Sequence, residues 1–107
     1  MKFEEVKKRK EELDILLEGK AEIYLIKCEQ YHKIGFSTNS WQRFNDLNGT
    51  GMPFKLELVY YGFMDDARKL EKDMHKKFVD KRVKGEWFEL TDEDIREFKE
   101  ICDKHLL

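Results

Sequence analysis

Two runs decide the fold: Glu22-Ile23-Tyr24-Leu25-Ile26-Lys27-Cys28 and Tyr31-His32-Lys33-Ile34-Gly35-Phe36. Both are rich in β-branched and aromatic residues, and only Glu29 and Gln30 lie clearly between them. That spacing predicts a tight antiparallel hairpin. After it, Ser37-Thr38-Asn39-Ser40 is a cap cluster opening a short helix over Trp41–Leu47, with Phe44 and Leu47 toward the core. Asn48–Gly51 followed by Met52-Pro53 is a loop. Leu56, Leu58 and Tyr60 alternate with Glu57, Val59 and Tyr61, which predicts a third strand ending at Gly62. Asp65 and Asp66 suit the positive end of a longer helix running to about Val79, with Ala67, Leu70, Met74 and Phe78 on its buried stripe. Gly85-Glu86-Trp87-Phe88 is a turn leading into a short extended piece. Thr91 caps a last helix with Ile95, Phe98, Ile101 and Cys102 inward. Before the hairpin, Phe3, Val6, Leu13, Leu16 and Leu17 give Met1–Leu17 an amphipathic helical pattern, ended by Gly19. The expectation is an α+β domain: a small three-stranded antiparallel sheet flanked by helices. An extra N-terminal helix within 1–19 packs on a domain spanning 20–107, which includes the C-terminal helix.

Composition bounds the function classes. The chain has 107 residues, room for one domain. Charged residues reach 41%, yet Leu, Ile, Val and Phe supply 29 residues, enough to fold around a modest core rather than stay disordered. Met1–Leu17 is charged throughout, so no secretory signal is expected, and no run of about 20 apolar residues predicts a membrane span. Cys28 and Cys102 form no CxxC pair, which disfavours a disulfide framework or a zinc site and suits a reducing, cytoplasmic compartment. The formal net charge of −2 argues against coating by nucleic acid, but the charge is uneven. Residues 89–107 are net −4, whereas 67–84 are net +5, concentrated on the long helix. That surplus makes Lys69, Lys72 and Lys76 candidates for DNA contact, with a solvated helix face as the plain alternative.

The residues with chemical potential are spread over four elements. Tyr24 lies on the first strand, Lys33 and Gly35 on the second, and Arg43 in the first turn of the next helix. Glu71 and His75, at i and i+4, share one face of the long helix beside its apolar stripe. Phosphodiester hydrolysis needs this kind of set. A base deprotonates water, a cation steadies the phosphate, and a carboxylate holds a divalent metal beside the leaving oxygen. Each residue also has a structural use: Tyr24 in the core, Arg43 paired with Asp46, Glu71 with His75, Trp87 and Phe88 as packing.

In order, Tyr24…Lys33-Ile34-Gly35…Arg43…Leu70-Glu71…His75…Phe78…Gly85-Glu86-Trp87-Phe88 resembles the GIY-YIG nuclease superfamily over about Ala21–Leu90. It looks most like the small phage-type branch related to the meiotically up-regulated proteins, with a Lys-Ile-Gly second motif. The resemblance implies a DNA endonuclease using Mg²⁺ or Mn²⁺ in a one-metal mechanism. Tyr24 would place or deprotonate the attacking water, Lys33 falls where a second tyrosine stands, Arg43 would face the scissile phosphate, and Glu71 would bind the metal. His75 and Glu86 belong to the same pattern. The origin it implies is phage or prophage. Two other functions fit the same residues: a non-catalytic nucleic-acid-binding module, and a domain that takes a protein partner or a second copy through its N-terminal helix.

Overall fold

The computed structural model describes residues 21–49 and 53–107, so the helix expected over Met1–Leu17 lies outside the described residues. Strands β1 (Ala21–Cys28) and β2 (Tyr31–Ser37) form the expected hairpin, with Cys28 opposite Tyr31 and Glu22 opposite Ser37. Glu29 closes the turn at a φ of 56°, in the left-handed region. Helix α1 (Ser40–Asn48) follows, then β3 (Leu56–Met64), helix α2 (Ala67–Lys77), a 3₁₀ turn over Val79–Lys81, strands β4 (Arg82–Lys84) and β5 (Trp87–Glu89), and helix α3 (Asp92–Asp103).

The sheet is larger than the sequence pattern implies. It has five strands in the order β3-β1-β2-β5-β4, not three. The two extra strands have three residues each, too short to carry an alternation of their own. They exist because β2 offers its outer edge: Tyr31, His32 and Lys33 pair with Glu89, Phe88 and Trp87. Gly85, at φ +58°, makes the turn between β4 and β5. There the Arg82 Nε–H donates to the Gly85 carbonyl at 2.7 Å.

Alternation along the strands gives the sheet two buried faces. Ile23, Leu25, Ile34, Met64 and Phe88 face α2 and α3, where Leu70, Met74, Phe78, Phe98 and Cys102 complete the main core. Tyr24, Ile26, Cys28 and Leu56 face the other way, where Phe44 and Leu47 of α1 pack with Leu58 and Trp87. Val59 is an extra residue opposite the Leu25–Ile26 step and keeps both halves of β3 in phase with their faces. The Cys102 thiol is pushed up to about 12 by burial, so it is inert packing. His32 is buried on the main-core side, and burial followed by the Lys27 charge lowers its pKa, which keeps it neutral.

Helix α3 is anchored at its start. The Thr91 hydroxyl accepts from the Asp94 N–H at 3.1 Å, and the Asp94 carboxylate accepts from the Thr91 N–H at 2.9 Å, a capping box. The same carboxylate accepts from the Lys81 ammonium of the 3₁₀ turn. Burial works against the Asp94 charge, but the Lys81 and Thr91 hydrogen bonds outweigh it and hold the carboxyl below its usual range. The stability it contributes is therefore present above the ordinary carboxylate pKa and lost as pH falls through the lower folded value. Asp94→Ala is expected to cost about 1–3 kcal/mol in urea unfolding at neutral pH, with the gap to the parent closing in acid.

Candidate functional site

The site forms where β5 stops and β2 continues. The Ile34 N–H donates to the Glu86 carbonyl at 3.1 Å, the last bond of the β2–β5 ladder. Beyond it the outer edge of β2 has no strand partner among the described residues. Helix α2 fills the gap with side chains. The Ile34 carbonyl accepts from His75 Nε2 at 2.9 Å. The Phe36 N–H lies toward the Glu71 carboxylate and favours its charged form. The i, i+4 spacing matters here because two successive outward-facing backbone groups of one strand are reached from one helix face. Since a carbonyl only accepts, the proton of His75 is on Nε2. The ring also packs against Phe88, with centroids 5.0 Å apart.

Tyr24 arrives from the opposite face. It is opposite Gly35 in the β1–β2 ladder, and the hydroxyl end of its ring lies over that glycine. A Cβ at Gly35 would stand 2.4 Å from the Tyr24 hydroxyl oxygen and 2.5 Å from Cζ. Glycine is required by this close approach, since its φ is not in the left-handed region. The hydroxyl end of the ring therefore sits over the β2 backbone at Gly35.

Arg43 is placed by the start of α1. Asn39 caps the helix, its side chain accepting from the Gln42 N–H at 3.1 Å. The Ser40 N–H donates to Glu22 of β1 at 2.9 Å, and the Asn39 N–H donates to Ser37 Oγ at 3.1 Å. With α1 pinned to the hairpin, the exposed Arg43 side chain brings its guanidinium close enough to the Tyr24 hydroxyl to favour the ionised form of the phenol. The pairing of Arg43 with Asp46 weighed from sequence does not form its own bond here; Gln42 Nε2 donates to Asp46 at 2.9 Å.

Lys33 and Glu86 complete the cluster. The Lys33 ammonium donates to Glu86 at 2.6 Å and stands 5.9 Å from the Trp87 ring centre. Burial, then the Glu86 charge, raises Glu71 above the usual carboxylate range; His75, Lys33 and the Phe36 N–H offset this only in part. Burial likewise raises Tyr24, and the nearby Arg43 guanidinium pulls back without winning. Tyr24 therefore keeps its proton at neutral pH. Glu71 is the strained member: half-buried, beside the Glu86 charge, with the His75 Nε2 at 4.0 Å. Among the described residues no group of three or more His, Cys, Asp or Glu comes together as a metal cage. What the cluster offers a cation is the largely buried Glu71 carboxylate with the Glu86 charge nearby, and carboxylate oxygens are the donors that suit Mg²⁺ or Mn²⁺.

The comparisons with known proteins bear on family rather than chemistry. The family model of the T5orf172 domain matches residues 21–103. The chain belongs to the T5orf172 domain family. This corrects the resemblance to the GIY-YIG nuclease superfamily drawn from motif order, since the match over the whole described domain is to T5orf172 and not to that superfamily. Short, widely spaced motifs describe which side chains meet, whereas the family model weighs every position between them. No curated protein matches the chain, and no solved structure does.

Within the T5orf172 domain, Tyr24, Lys33, Gly35, Arg43, Glu71, His75, Glu86 and Trp87 gather around the β2 edge. The three helix lysines do not share that position equally. At about 100° per residue, Lys72 follows Glu71 and His75 around α2, and Lys76 lies further round. Lys69 borders a hollow with Asp65, Asp66 and Asp73, which offset its charge. Arg68 is the cation the motif search missed. It lies on the Glu71 side of α2, with its guanidinium 5.5 Å from the Phe36 ring centre. The available signal was its i, i+3 spacing to Glu71.

Gly35→Ala is expected to force the Tyr24 ring off β2 and cost about 1–3 kcal/mol by overpacking. In a Tyr24→Val background the same change should cost less, a coupling read from urea unfolding of the four proteins in a double-mutant cycle.

Proposed function

We propose that this domain is a divalent-metal-dependent DNA endonuclease. The observation that carries the reading is the convergence of an exposed arginine, a buried tyrosine hydroxyl and an electrostatically strained glutamate on one unpaired strand edge. Arg43 presents a planar, permanently charged fork that matches the non-bridging oxygens of a phosphodiester. The guanidinium lies close to the Tyr24 hydroxyl, so a phosphate held by Arg43 lies beside a fixed donor. Tyr24, still protonated, orients a water for attack rather than starting as a base.

Glu71 holds the cation, and His75 keeps the β2 edge rigid behind it by bonding Ile34. A bound Mg²⁺ or Mn²⁺ supplies Lewis-acid stabilisation of the developing charge on the phosphate and its leaving oxygen. Lys33, steered by Glu86 and Trp87, adds a second positive group on the Tyr24 side of the sheet. A cation held there would offset the desolvation and the Glu86 repulsion that Glu71 otherwise bears. Because Glu71 must be ionised to bind it, and its folded pKa is raised, metal affinity falls on acidification above the ordinary carboxylate range.

A second reading is favoured by one observation: burial shifts the Tyr24 pKa away from neutrality, not toward it, so Tyr24 is not poised to act as the base. The domain would then bind DNA without cutting it. Among the described residues no helix is long and apolar enough to cross a membrane.

Plasmid nicking with Mg²⁺ or Mn²⁺ separates the two readings. Arg43→Ala, at an exposed position, is expected to fold normally and lose about 100-fold or more in rate, as when an oxyanion donor is removed. If the parent binds duplex in a salt-dependent way but leaves it intact with every divalent metal, the enzyme reading fails and the binding reading stands.

Saturating Mn²⁺ should raise the melting temperature of the parent by roughly 2 °C or more. Folding raises the pKa of Glu71, so its ionisation opposes stability above the ordinary carboxylate value. Glu71→Gln should accordingly match or exceed the parent without metal and show no rise with it. A rise that survives in Glu71→Gln would place the cation elsewhere.

A further inference from the structure

The face of the sheet that carries Tyr24 and Lys33 is only half covered. Helix α1 packs over its β1–β3 side. At the other end, Cys28, Tyr31, Val83, Lys84 and Trp87 line an open cleft of about 230 Å³ with apolar walls. The register places them together: Cys28 is opposite Tyr31, Trp87 opposite Lys33, and Lys84 opposite Trp87. Cys28 is buried at the base, Tyr31 and Trp87 are half-buried, and Val83 and Lys84 form the exposed rim. Val83 is 54% exposed, a large apolar side chain left in water on a three-residue strand.

We propose that this cleft receives one unpaired nucleobase of the strand whose phosphate is held at Arg43, and so selects single-stranded or distorted DNA over intact duplex. This rests on the nucleic-acid reading of the Tyr24–Arg43–Glu71 site. Three features of the cleft choose the occupant. First, it is continuous with that site through Trp87, which lines the cleft and carries the Lys33 ammonium over its ring. Tyr31 lies two residues along β2 from Lys33, about 7 Å, so a strand with its backbone at the site reaches the cleft within a few nucleotides. Second, the cleft is smaller than the roughly 300–1,000 Å³ of pockets for larger ligands and holds two aromatic side chains, which suits a single flat ring system. Third, its one charged rim residue is Lys84, within the net +5 stretch 67–84, which complements a phosphate backbone and repels a cationic partner.

The apolar walls give a base no donor or acceptor to match, so the cleft reads the presence of an unstacked base rather than its identity. A fully paired duplex keeps its bases stacked inside and cannot fill it without paying to extrude one.

The test compares fluorescently labelled oligothymidylate with an abasic oligonucleotide of the same length and charge, by polarisation in chelator so that neither is cut. The parent should bind the thymidine strand about ten-fold or more tighter, the worth of one base on an aromatic side chain. The ratio of the two affinities should fall to near one in Tyr31→Ala. Val83→Asn, at an exposed position, should lower it without a folding penalty. In a Trp41→Phe protein, whose one remaining tryptophan is Trp87, the thymidine strand should quench fluorescence and the abasic strand should not. Equal affinity of the parent for both strands would overturn the base cleft while leaving the phosphate site standing. Failure to bind either strand would overturn both. An unchanged ratio in Tyr31→Ala and Val83→Asn would assign the base preference to another surface and overturn the cleft.

Discussion

The structure turns on the contact between the Tyr24 ring and the backbone of Gly35. A strand normally separates the chemistry on its two faces, because each side chain stays on its own side of the pleat. Here one position of β2 carries no side chain, and the ring from β1 lies over it. The hydroxyl sits over the strand, where it feels Arg43 on its own face and the Glu86 and Glu71 charges as well. Without that contact, Tyr24 and Arg43 would belong to one face and Glu71 and His75 to the other, with the sheet between them.

The second condition is that β5 is short. It pairs with β2 through Lys33 and then ends, leaving Ile34 and Phe36 with outward-facing backbone groups and no strand to take them. Buried backbone groups must find partners, and here His75 and Glu71 serve that need. Two side chains used to finish a sheet edge are thereby fixed in place, and the cost falls on Glu71, whose charge is held near Glu86 in a poorly solvated spot.

The motif pattern picked out side chains that the fold brings together, and it misled on lineage and on sheet size. Tyr24, Gly35, Arg43, Glu71 and His75 were legible because each sits at a spacing with a chemical reason, and they meet. The family name failed because those spacings describe a constellation, while the match over 21–103 is to the T5orf172 domain. The strands β4 and β5 were illegible as a pair: three residues show no period, and Trp87-Phe88-Glu89 becomes a strand only because β2 lies beside it. Arg68 escaped notice among seven other basic residues in 67–84, since charge counts carry no direction.

By itself the sequence determined the local elements: the hairpin with its two-residue turn, the cap cluster at Ser37–Ser40, the acids Asp65 and Asp66 at the start of α2, the cap at Thr91, and the apolar stripes of α2 and α3. These follow from short-range rules of spacing, capping and burial that act within a few residues. Only the tertiary structure decided that the sheet has five strands, that Tyr24 overlies Gly35, that Glu71 lies beside Glu86, and that a cleft opens between Cys28 and Val83. Each of those depends on which distant segments touch, and on burial that raises the energy of one charge and quiets another. Long-range contact and desolvation are properties of the packed chain, with no counterpart in residue order alone.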